Sequence, residues 1–78
     1  MYASVDLASA PLHTNLTLVE SDTPPGHRQR LSSLGLRTGT TFSLLQKTAG
    51  GGRVAMVAGS RIALGASLLT QLRAEVVR

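Results

Sequence analysis

His27–Thr40 reads HRQRLSSLGLRTGT. Leu31 and Leu34 are three residues apart and His27 lies four before Leu31, so the three share one helical face. Arg28, Arg30, Ser32 and Ser33 fill much of the remainder. A short helix is expected over about residues 27–34, too short to hold without a core beneath it. Gly35 then suits the left-handed residue that ends a helix, because it lacks the Cβ that makes positive φ costly. In a Schellman stop the following residue, Leu36, packs on Leu31. Arg37-Thr38-Gly39-Thr40 fits a tight turn with Gly39 at the third position, where a type II turn demands positive φ. One glycine stops the helix and the other reverses the chain into a strand.

Strand patterns flank this unit on both sides. Upstream, Thr14–Glu20 (TNLTLVE) alternates, with Leu16 and Leu18 on one side, and SDTPPG ends it. Ser4–Pro11 reads as an ordered lead-in with Val5 and Leu7 available to pack; Pro11 argues against a central strand there. Downstream, Thr40–Lys47 is a strand with Phe42 and Leu44 inward. Ala49–Gly52 is a flexible hairpin loop, and Arg53–Ala58 a further strand. Whether Val54 and Met56 or Ala55 and Val57 face the core stays open. Gly59–Ser60 is a turn or bulge, Arg61–Leu64 a strand with Ile62 and Leu64 inward, residues 66–70 one helical turn, and Gln71–Val77 a closing strand. The expected core is Leu16, Leu18, Leu31, Leu34, Leu36, Phe42, Leu44, Ile62 and Leu64. Five short strands with glycine corners make a mainly β chain, a small and partly open barrel.

Composition bounds the rest. Seventy-eight residues make one domain, 1–78. The 42% hydrophobic content argues against global disorder. Without cysteine there is no disulfide frame and no thiolate metal site, which fits a reducing compartment. The start, MYASVDLASAP, has neither the basic nor the apolar stretch of a secretory signal. No run approaches the roughly 20 apolar residues of a membrane span. The net charge of +4 is scattered over Arg28, Arg30, Arg37, Lys47, Arg53, Arg61, Arg73 and Arg78, so no block of like charge marks a partner.

Catalytic and ligand-binding chemistry finds little to work with. There is no GxSxG elbow and no GxxxxGK(S/T) phosphate loop. GGGR at Gly50–Arg53 lacks a strand–loop–helix setting and reads as a hairpin tip. Ser32 and Ser33 read as surface hydroxyls, and no enzyme is expected. His13, His27, Asp6, Glu20, Asp22 and Glu75 show no paired histidines at i,i+4 and no local carboxylate–histidine spacing, so no metal site is expected. Single-strand nucleic-acid binders stack bases on aromatic side chains. Only Tyr2 and Phe42 are candidates, and Phe42 is expected inside, so nucleic acid is not an expected partner. Protein binding remains. Arg28, Gln29, Arg30 and Arg37 offer charge-assisted contacts to an acidic partner, with Arg53 and the tip Ala49–Arg53 as a second surface. Solvation alone explains each equally well.

HRQRLSSLGLRTGT also resembles a family signature, that of the FeoA family of small bacterial ferrous-iron-transport proteins. Their pattern runs RQ(R/K)L, two free positions, LG, Leu or Met, one free position, PG, then Thr or Ser. The likeness continues through AGGG, RIAL and LRAEVV, from about Leu12 to Val77. It implies an SH3-like β-barrel with an inserted helix, and a cytoplasmic, non-enzymatic accessory. Its implied partner is the cytoplasmic face of FeoB, a membrane transporter with a GTP-binding domain. It implies no cofactor, and the ligand spacing does not support a site for Fe²⁺ itself. The same fold in the C-terminal domain of iron-dependent repressors of the diphtheria-toxin-repressor type suggests the alternative of a regulator-type domain or a small nucleic-acid-binding barrel. Two departures stand out. Thr38 replaces the usual proline, and Gly65–Ser67 is small where relatives often carry basic residues.

Overall fold

The computed structural model describes residues 4–77, so Tyr2 and Arg78 lie outside it. In chain order its elements are β1 (Ser4–Asp6), β2 (Leu16–Ser21), α1 (Pro25–Ser33), β3 (Thr41–Lys47), β4 (Arg53–Val57), β5 (Ser60–Leu64), α2 (Ala66–Leu69) and β6 (Leu72–Val76). A tight loop at Ala49–Gly51, with Gly50 at φ +82° and Gly51 at φ +88°, joins β3 to β4, closed by the Thr48 N–H on the Gly52 carbonyl at 2.8 Å. The strands form one antiparallel sheet in the order β1-β6-β2-β3-β4-β5.

Five strands are expected from the sequence and six are present among the described residues. The additional one is β1, which pairs with β6 through Ser4↔Glu75, Val5↔Ala74 and Asp6↔Arg73. Three residues are too few to announce a strand by alternation, and Pro11 lies beyond it. No ladder joins β5 to β1 among the described residues, so the architecture is a mainly β sheet with two short helices. The sheet bends where register slips by one residue, between Leu44 and Gln46 against β4 and between Leu18 and Glu20 against β6.

The two glycines sit where the backbone needs them. Gly35 has φ +97°; its N–H donates to the Ser32 carbonyl at 3.0 Å, and the Leu36 N–H donates to the Leu31 carbonyl at 2.9 Å. These are the paired bonds of a Schellman stop. Leu31 and Leu36 are both buried in the core. Gly39 has φ +93°, and the Thr40 N–H closes the turn on the Arg37 carbonyl at 2.9 Å. The turn forms with Thr38 in the usual proline's place. It is stitched to β2, since the Gly39 N–H donates to the Leu18 carbonyl at 2.7 Å and the Leu18 N–H to the Thr40 carbonyl at 3.0 Å.

The core is leucine-rich: Leu7, Leu16, Leu18, Leu31, Leu36, Phe42, Leu44, Leu64, Leu69 and Leu72, with Ala55, Val57 and Ala74. Ala55 and Val57 are thus the inward pair of β4, the question the sequence leaves open. Two expected core residues stand elsewhere. Leu34 is 45% exposed, and Ile62 is only partly buried against the core. Leu31 is the single buried residue of α1, so the helix lies on the sheet along a stripe one residue wide. His27 and Leu34, one turn before and one turn after Leu31 on the same flank of the helix, are left at the surface.

Candidate docking surface

α1 starts at a proline pair. Pro25 occupies the first helical position, where a missing N–H costs nothing, and the Arg28 N–H makes the first helical bond to the Pro24 carbonyl at 3.0 Å. No acid stands in the first turn, and Arg30 lies in the last turn, near the negative end of the helix dipole. With only Leu31 buried, the helix turns nearly its whole circumference outward.

The four residues expected to bind a partner from this region divide between two sides of α1. Arg28, Gln29 and Arg37 share a shallow depression with Pro25, Ser32 and Ser33. The Arg28 guanidinium donates weakly to the Ser21 and Thr23 carbonyls, at 3.4 and 3.3 Å, which leans it back over the end of β2. Arg30 lies on the other side, on the wall of a cleft of about 300 Å³ between α1, β5 and α2. That cleft is floored by Leu31, Leu34, Ala63, Leu64 and Leu68, and rimmed by His27, Arg30, Ser67 and Gln71.

Arg53 is a correction. It is 6% exposed, and its guanidinium donates to the Ala8 and Ala10 carbonyls. It ties the lead-in segment to β4 and is turned away from the surface. Alternation is the reason: Arg53 shares parity with Ala55 and Val57, so it points inward with them. Arg73 is likewise spent on backbone and hydroxyl, through Ser4 O at 2.8 Å and Ser4 Oγ at 3.1 Å. Gly59 sits in the two-residue turn Ala58–Gly59, with φ +51° and +82°, where Val57 faces Ser60.

The cleft is the feature the sequence did not show. Its sequence signal is Leu34, whose spacing from Leu31 predicts a core position but which lines the cleft because α1 buries a narrower stripe. Phe42 is buried and offers no stacking face. Among the described residues no group of three or more histidines and carboxylates could hold a metal ion, and no helix is long and apolar enough to cross a membrane.

A model of the FeoA domain matches residues 5–76. The chain resembles the crystal structure of an iron uptake regulatory protein (FeoA) at 25% identity and a TM-score of 0.84, covering 96% of this chain and all of that one. The solution structure of FeoA from Chlorobium tepidum superposes with a TM-score of 0.86 at 16% identity, over 95% of this chain and 71% of that one. A FeoA-like protein from Clostridium acetobutylicum gives 0.81 at 16% identity, over 100% and 92%. The last two likenesses are of fold. No curated protein matches the sequence.

Proposed function

The chain belongs to the FeoA family, and with it to the proteins of ferrous iron transport; from that premise we propose that it is a non-enzymatic, cytoplasmic accessory that docks on the cytoplasmic part of a FeoB-like transporter and modulates it. The observation that carries this reading is α1, a helix with one buried side chain and an arginine-bearing surface facing outward beside an apolar cleft. A helix that serves only to cap a core buries a broader stripe. Arg28, Arg30 and Arg37 speed encounter with an acidic face and fix its orientation, and the cleft supplies apolar area. The mechanism is a binding bias between transporter conformations, with no chemistry performed on iron. Co-purification of the tagged chain with the full-length transporter of the same cell, with and without nucleotide, tests it. A stable complex is expected; its absence under every nucleotide condition contradicts the reading.

A further inference from the structure

The docking reading places the partner beside α1 and leaves open how its chain is held. Resting on it, we infer that the free edge of β5 accepts an extended acidic segment of the partner as an added strand, with one of its apolar side chains in the cleft between α1 and α2.

β5 is the last strand of the sheet order, so among the described residues one of its edges has no neighbour. The β4–β5 turn fixes which residues face that edge. Ala58 and Gly59 both have positive φ, the signature of a type I′ hairpin, and Val57 and Ser60 close it as a hydrogen-bonded pair. Antiparallel pairs alternate from there. Arg61, opposite Met56, and Ala63, opposite Val54, therefore turn their N–H and C=O groups away from β4. Among the described residues no other backbone group takes them up. Two residues at a spacing of two, each presenting a donor and an acceptor, are what an incoming strand pairs with. The usual defences of an edge are nearly absent: β5 has no proline, its register with β4 is unbroken, and Arg61 is its one charge.

The cleft beside this edge names the chemistry of the occupant. Ala63 and Leu64 form its strand wall and Leu34 its helix wall, an apolar pocket open to solvent. Arg30 and His27 stand on its rim, Arg61 lies along the edge, and among the described residues no carboxylate lines it. Apolar volume, a cationic border and free backbone groups together fit a peptide whose acidic residues flank an apolar one. Nucleic acid would use the charge but neither the pocket nor the alternating backbone groups.

The test follows amide hydrogen exchange at Arg61 and Ala63 in the complete chain, alone and saturated with full-length FeoB-like transporter. Exchange at both amides is expected to slow at least about tenfold. Ala63→Pro removes an N–H that makes no bond to β4, and should weaken the complex at least about tenfold. Arg61→Glu leaves the backbone intact and should weaken it several-fold at low salt, which keeps the test decisive should the proline variant fold poorly. A complex that forms without protecting these amides, and that tolerates both variants, overturns strand addition while docking stands. Absence of any complex removes both. Equal protection by single-stranded DNA, or a dimer of this chain that Ala63→Pro dissolves in the absence of transporter, also overturns the inference.

Discussion

Replacing Gly35 by alanine isolates the backbone term on which the helix stop depends. Space is available: the added Cβ meets Val57 Cγ1 at 3.4 Å and Ala58 Cβ at 3.7 Å, both ordinary contacts. The dihedral is the obstacle. At φ +97° the residue lies beyond the left-handed well near +57°, so a side chain there costs about 2 kcal/mol, the upper end of the left-handed penalty. Reduced freedom of the unfolded chain returns about 0.5–1 kcal/mol. Gly35→Ala should therefore destabilise by about 1–1.5 kcal/mol. For a domain of this size that lowers Tm by about 4–12 °C. Urea unfolding followed by far-UV circular dichroism should show a lower midpoint at an unchanged slope. Gly26→Ala is the internal control, because its φ is not in the left-handed range and its Cβ would enter open space in the same helix. It should gain about 0.5 kcal/mol. Equal or raised stability in Gly35→Ala would refute the account of how α1 ends.

Further outcomes follow from the same geometry. Leu31→Ala, at the one buried position of α1, should cost about 2–4 kcal/mol, whereas Leu34→Ala should cost under about 0.5 kcal/mol; paired urea titrations compare them. Arg53→Ala strands the Ala8 and Ala10 carbonyls and should cost about 3 kcal/mol by the same measurement, with Arg53→Lys recovering little, because one ammonium does not reproduce the planar fork. Ala58→Asn relieves a non-glycine residue at φ +51° and should raise stability by about 0.5 kcal/mol in a thermal melt. Arg28→Glu and Arg30→Glu should slow association with the transporter several-fold at low salt and much less at high salt, read by stopped-flow kinetics.

Much of the fold was legible because its corners are chemical. Gly35, Gly39 and Gly59 each occupy a positive-φ site that few other residues adopt cheaply, and strand alternation around Leu16, Leu18, Phe42 and Leu44 set the inner face. What escaped was decided by packing. β1 exists because β6 offers it an edge, a long-range fact that three residues cannot encode locally. Leu34 was misplaced because spacing says which residues share a face and not how wide a stripe the sheet covers. Arg53 was misplaced because charge suggests exposure. Its burial depends on two carbonyls 43 and 45 residues away in sequence. The free edge of β5 was likewise invisible until the strand order was known.

A ligand that binds every conformation equally shifts none of them, so modulation requires unequal affinities. The measurement closest to this claim is the dissociation constant of the chain for full-length FeoB-like transporter in three states: nucleotide-free, bound to GDP, and bound to a non-hydrolysable GTP analogue. A difference of at least about tenfold between two states, worth about 1.4 kcal/mol of conformational bias, is the predicted result. Identical constants in all three states, or no binding in any, would contradict the account.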